Sequence, residues 1–257
     1  MEILDHNREA WNKQVEDGNI WTKPVNSQQI EEARKGKWSV VLTPTKPVPS
    51  DWFPKLDGKK ILCLASGGGQ QGPVLAAATG AEVTVLDNSP YQLERDKMVA
   101  ARERLSIAIE QGDMRDLSRF ADDSFDLIFH PVSNCFIDDV NKVWKECYRV
   151  LKKGGPLLAG FGNPITYIFD MHEWDVNQNL TVRHRIPYSD LEHLPKEQLE
   201  LRIANKETLE FGHSLQDQIG GQIDVGFTIK GFYEDSSGGD LLDSYINSFI
   251  ATRAIKE

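Results

Sequence analysis

Between residues 56 and 160 the chain alternates short apolar runs with longer segments of helical periodicity. The runs are KILCLA (60–65), EVTVLD (82–87), SIAIEQ (106–111), FDLIFH (125–130) and PLLAGF (156–161), all of strand length. Between them, Val140, Val143, Trp144, Cys147, Tyr148 and Leu151 recur at helical spacing within 138–151 and form one apolar face. Gly154 and Gly155 stop that helix. Ser89, Pro90 and Gln92 open another, as cap, first-turn proline and capping-box partner. Such alternation predicts βα units and a parallel sheet.

The flanks read differently. Residues 1–55 form an N-terminal extension, with one helix predicted over 5–16 and a second from a Ser27 cap to near Gly36. TPTKPVPSDWFP (43–54) follows, and its four prolines make it an extended connector. Trp11, Trp21, Trp38 and Trp52 lie in this extension, either as packing residues or as an aromatic cap over a ligand. Residues 162–206 are polar, rich in Asn, His and Glu, and too long for an ordinary loop, which predicts a cap over a binding site. The regular pattern resumes with ETLEF (207–211). A helix then places Leu215, Ile219 and Ile223 on one face, with Gly220 and Gly221 as a break or a close-packing point. Two further strands are predicted, at 226–233 and 244–255.

Composition narrows the classes. The 257 residues carry a formal net charge of −10, which disfavours general nucleic-acid binding. Cys63, Cys135 and Cys147 match no zinc or redox spacing, and His172, His184 and His193 lack metal spacing, so no metal is expected. With no basic-apolar leader and no membrane-length apolar run, the expected location is cytoplasmic.

The first strand runs into ASGGGQQGP (65–73), with a helix expected from Pro73. Small residues there let the backbone approach a ligand, and the amides of a helix N-terminus are expected to be free for acceptors. The second strand ends at Asp87, an acceptor-only side chain suited to ribose hydroxyls. Gly67, Gly69 and Gly72 also fit G-x-G-x-x-G with an acid about 20 residues on, so the turn by itself admits NAD as well as S-adenosylmethionine.

Downstream segments separate the two. Gly112-Asp113-Met114 follows the third strand, Phe125-Asp126-Leu127 opens the fourth, and Arg149-Val150-Leu151-Lys152-Lys153-Gly154-Gly155 leads into the fifth. In this order and spacing the chain resembles the class I S-adenosylmethionine-dependent methyltransferases, in particular the group related to menaquinone and ubiquinone biosynthesis C-methyltransferases. The resemblance is strong over 60–160 and topological over 207–255. It implies a Rossmann-like, doubly wound seven-stranded α/β sheet, mostly parallel with the last strand antiparallel, in a methyltransferase domain over 56–257 with 162–206 as substrate cap. It implies S-adenosylmethionine as cofactor and S-adenosylhomocysteine as product. Ala65, Ser66, Gly67, Gly69 and Gln70 would line the amino-acid part of the cofactor, Asp87 would hold the ribose, and Asn88, Asp113 and Met114 would frame the adenine. His130 would sit at the fourth strand end beside the methyl group.

The implied activity is methyl transfer to a small-molecule acceptor by in-line displacement, driven by proximity and orientation. The alternatives are a non-catalytic S-adenosylmethionine-binding module and a nicotinamide-dependent oxidoreductase. No catalytic acid–base pair stands out; His130 and Asn134 are the candidates. Arg183, His184 and Arg185 form a basic cluster that is either a solvated face or a contact for an anionic substrate. Two positions depart from the family pattern: Cys63 stands where an acid is usual, and Ala65 where glycine is usual. Alanine preserves the close approach if its φ is negative.

Overall fold

The computed structural model describes residues 2–257, apart from the side chain of His172, which lies outside the described set. Helices α1 (Ile3–Glu16) and α2 (Ser27–Arg34) form the extension. The cap of α2 is Asn26, which accepts from the Gln29 amide in a reciprocal capping box, so the expected Ser27 cap moves back one residue. The main domain follows as β1 (Lys60–Leu64), α3 (Gln71–Thr79), β2 (Glu82–Asp87), α4 (Pro90–Glu103), β3 (Ile107–Gln111), β4 (Leu127–His130), α5 (Val140–Val150) and β5 (Pro156–Gly162). Next come α6 (Met171–Asn177), β6 (Tyr188–Ser189), α7 (Asp190–His193), α8 (Lys196–Ala204), β7 (Phe211–Gly212), α9 (Gly221–Asp224), β8 (Phe227–Asp235) and β9 (Phe249–Lys256).

Seven strands form one sheet in the order β3-β2-β1-β4-β5-β9-β8. The first five are parallel, and β9 runs antiparallel between β5 and β8. The ETLEF segment joins no part of this sheet. Its end forms β7, which among the described residues pairs only with β6 in a small ribbon. Two residues are too few to extend the main sheet, and their place is over its carboxyl edge.

Alternation along each strand divides the core. Ile61 and Cys63 of β1 face one layer with α2, α3, α4 and the 38–56 segment, while Leu62 and Leu64 face α5 on the other side. Trp144 is completely buried in the second layer. The predicted apolar face of the 215–223 helix is not what packs. Leu215 and Ile223 are exposed, and Gln218, Gly221 and Gln222 turn inward. A wider π-helical turn at 216–220 rotates the face, and a Cβ on Gly221 would stand 2.8 Å from Trp144 Cδ1, so this glycine is a close-packing point. A third cluster, Phe169, Trp174 and Leu242, lies in the segment after β5.

Candidate active site

A cavity of about 370 Å³ opens along the carboxyl edge of the sheet. Its wall takes Gly112–Met114 from the end of β3, Asp87 and Asn88 from β2, and Ala65–Gly67 from β1. Pro131–Ser133 and Cys135 come from beyond β4, Gly162 from β5, and Ser248 and Phe249 from the start of β9. It therefore crosses the ends of six neighbouring strands, the crevice where open α/β sheets bind ligands. The extension supplies Leu4, Asn7, Trp11, Trp21 and residues 41–44. Thus two of its tryptophans face the cavity. The other two pack elsewhere, Trp38 edge-on to Phe53 and Trp52 against Tyr233.

The glycine turn is held from below. Gly67 N donates to Asp87 Oδ2 (2.9 Å), Gly68 N to Gln92 O (3.1 Å) and Gly69 N to Asp96 Oδ2 (3.0 Å). These amides are consumed by the protein, contrary to the expectation that they stand free for a ligand. The turn needs its glycines for a different reason. Gly68 and Gly69 have φ of +102° and +71°, and a Cβ on Gly67 would stand 2.8 Å from Gln92 Cβ. Ala65 also has a positive φ, 47°, so the condition for an inexpensive alanine is not met. That left-handed conformation costs an L-residue roughly 1–2 kcal/mol. An acid from α4, Asp96, packs beneath the turn beside Cys63 but does not line the cavity. Asp96 is fully buried against the turn, close enough to Cys63 that its charge adds to the burial that raises the thiol.

Asp87 lines the cavity with both oxygens already accepting one backbone amide, Gly67 and Ser89, and retains further lone pairs for a ligand. Burial raises its carboxyl above the usual range. Asp113 is gripped by the Arg115 guanidinium (2.8–3.1 Å) and accepts the Arg115 amide, which limits what it can offer a ligand. Asn88 donates to Leu4 O and ties α1 to the end of β2. Gln70 Nε2 donates to Ile20 O and Lys23 O, clamping the extension onto the turn.

Of the positions expected at the cofactor, Ala65, Ser66, Gly67, Gln70, Asp87, Asn88, Asp113 and Met114 lie on the wall. Gly69 and His130 do not. Gly69 faces Arg95 and Pro24, where a Cβ would come within 2.9 Å of either. His130 alternates to the α5 side of β4, is fully buried beside Trp144, and has Nδ1 2.9 Å from Leu64 O and Nε2 2.7 Å from the Asn134 side-chain amide. Burial lowers its pKa. Asn134 is equally buried and donates to Gln218 Oε1 (3.0 Å). Neither candidate lines the cavity; both are buried beneath it. Arg183 and Arg185 are exposed, and the 183–185 cluster is off the wall.

Sequence reasoning missed the other half of the wall: Gln92, Cys135, Tyr167, Glu210 and Phe249. Only Gln92 sits near a recognised motif, and there it was read as a cap partner; the rest lie on segments that meet only in the folded chain. Ser66 Oγ and Gln92 Oε1 are buried without a hydrogen-bond partner among the described residues. Three carboxylates line the wall, Asp87, Asp113 and Glu210, and among the described residues no Lys, Arg or His does. Orphaned polar atoms and a negative wall fit a cofactor that carries a sulfonium and an ammonium group. Among the described residues no cluster of His, Cys, Asp or Glu is arranged to hold a metal.

The methyltransferase-domain family profile matches residues 62–159. An S-adenosylmethionine-dependent methyltransferase structure from Mesorhizobium loti superposes with a TM-score of 0.59 at 20% identity, covering 80% of this chain and 94% of that one. The chain belongs to the class I S-adenosylmethionine-dependent methyltransferases; it is an enzyme, and S-adenosylmethionine is its cofactor. Its whole length is matched by the uncharacterised methyltransferase YbaJ of Bacillus subtilis, 57% identical over 254 residues, 99% of this chain and 98% of that protein. A sterol 24-C-methyltransferase of Gibberella zeae is 34% identical over 134 residues, half of this chain but only 32% of the sterol enzyme.

Proposed function

We propose that this enzyme methylates a small-molecule acceptor by in-line displacement at the sulfonium methyl, with orientation and water exclusion as the protein's main contribution. The observation that carries the reading is the single cavity shared by two kinds of wall. On the β3–β2–β1 side lie Met114, Asp113, Asn88, Asp87 and 65–67, the residues that would hold adenine, ribose and the amino-acid end. On the β4–β5–β9 side lie Val132, Phe136, Ile137 and Phe249, an apolar wall that would receive the acceptor. When bound, S-adenosylmethionine supplies an activated methyl group on a cationic sulfur. The protein's part is to fix the acceptor against it, and well-oriented reactants can gain up to roughly 7–11 kcal/mol of the barrier.

The extension and the segment after β5 support a covered site. Asn7 in α1 donates to Phe136 O (2.8 Å) and Leu209 O (3.0 Å) and accepts from Leu209 N (2.8 Å). Ser89 donates to Asn12 from the opposite side. Helix α1 thus bridges the end of β2 and the segment before β7, over the cavity. We read 1–55 and 162–206 as its two covers. A cavity of this size suits a small molecule rather than a polymer. No helix among the described residues is long and apolar enough to cross a membrane. The three cysteines are free, which supports a reducing, cytoplasmic setting.

Calorimetric titration tests the cofactor half directly. S-adenosylmethionine and S-adenosylhomocysteine are expected to bind and NAD is not. Asp87→Ala removes the ribose acceptor and leaves the Gly67 and Ser89 amides unpaired, so S-adenosylhomocysteine should bind at least roughly tenfold more weakly. Unchanged affinity in the variant would mean that the ribose lies elsewhere.

A further inference from the structure

The acceptor half of the cavity contains an ionisable pair that orientation alone does not use. Glu210, immediately before β7, reaches the wall together with Tyr167, from the short helical turn that follows β5. Tyr167 OH donates to Glu210 Oε2 at 2.8 Å, and the Cys135 thiol meets the same hydroxyl. The acid is fixed from behind. Glu210 N donates to Asp190 Oδ2 (2.8 Å) and Asp190 N to Glu210 O (3.0 Å). Asp190 in turn is paired with Arg202 (3.1 Å) and accepts from Tyr188 OH (2.8 Å).

The two acids therefore differ in kind. Asp190 has a guanidinium in contact, whereas Glu210 presents its carboxylate to a phenol and to an apolar cavity whose wall holds no cation among the described residues. Burial raises the Glu210 carboxyl above its usual range and Asp190 pushes it the same way, while Tyr167, Arg202 and Thr208 oppose the rise. A carboxylate so placed favours a ligand that brings a positive charge or a proton to share. The acceptor side disfavours carboxylate and phosphate acceptors, which would meet Glu210 and, among the described residues of the wall, no base.

Resting on the methyltransferase reading above, we propose that Glu210, positioned by Tyr167, binds the acceptor and takes its proton, and that the acceptor is a compact, otherwise apolar amine. The ammonium of the acceptor docks on Glu210 and gives it one proton. The freed nitrogen forms the N–C bond as the C–S bond breaks, and the electron pair of that bond stays on sulfur. Glu210 then passes its proton to water, so one proton is released per methyl group.

The test needs no knowledge of the natural acceptor. Protein saturated with S-adenosylhomocysteine is titrated calorimetrically with benzylammonium, benzyl alcohol and benzoate. Benzylammonium should bind tightest and benzoate weakest. Glu210→Gln should weaken benzylammonium by at least roughly tenfold while leaving benzyl alcohol and S-adenosylhomocysteine unaffected. Tyr167→Phe should weaken benzylammonium less. Selectivity of the unmodified protein decides the point even if a variant folds poorly. Absence of benzylammonium binding, equal binding of benzyl alcohol or benzoate, or a Glu210→Gln affinity within about twofold of the unmodified protein would overturn the proposal. Failure of the unmodified protein to bind S-adenosylhomocysteine would instead remove the methyltransferase reading beneath it.

Discussion

Asp96 accepts the Gly69 amide from beneath the glycine turn, and its other oxygen is buried without a hydrogen-bond partner among the described residues. Burial pushes its carboxyl up to about 8, with Asp87 nearby adding to the effect. An acid that is harder to ionise in the folded than in the unfolded chain contributes fully below the unfolded value near 3.8, and its contribution declines as pH rises toward 8. Asp96→Asn keeps an acceptor for the amide and cannot ionise. Between about pH 5 and pH 9 the melting temperature of the unmodified protein should therefore fall more than that of the variant. Parallel curves would mean that Asp96 is not the titrating group. Residue identities at the turn were plain in the sequence, but not this pairing. Asp96 lies in the middle of a helix 27 positions from Gly69, and no local pattern marks it as the acceptor beneath the turn.

The segment 40–44 bends back through an antiparallel bridge between Val41 and Pro47, where an extended connector was expected from 43, and it matters as an element because it crosses β5 at a glycine. A Cβ on Gly160 would stand 2.2 Å from Leu42 O, which also accepts from Val132 N (3.1 Å). Backbone, not a flexible side chain, would have to move. Gly160→Ala should destabilise the protein by about 1–3 kcal/mol in denaturant unfolding and weaken S-adenosylhomocysteine binding, since 41–44 line the cavity. Gly162→Ala, where nothing lies within 4 Å of the added carbon, should leave stability nearly unchanged. Equal effects of the two would show that Leu42 does not press on β5. The βα alternation and α5 were legible because each element carries its own period and caps. The 215–223 face and the β6–β7 ribbon were not. A two-residue strand has no periodicity, and a π-turn breaks the 3.6-residue count on which a helical face is read.

Across the whole molecule, the cavity joins parts that are remote in sequence: the extension, six strand ends and the segment before β7. Occupancy should therefore stabilise the entire fold. S-adenosylhomocysteine at a hundred times its dissociation constant adds about 2.7 kcal/mol, a rise of about 5–11 °C in melting temperature for a chain of this size. A calorimetric scan with and without ligand checks this, and no shift at saturation would count against binding to the native state. The sequence by itself determined the βα alternation and the parallel strands, because strand periodicity, glycine turns and helix caps are local features. It did not determine which titratable groups reach the acceptor. His130 stood next to the right strand end, but one step of strand alternation and burial against Trp144 took it off the wall. Glu210 stood in an unremarkable run, and the fold brought it across to Tyr167, 43 residues away, because a pairing between distant segments depends on how layers pack and not on any period in the chain.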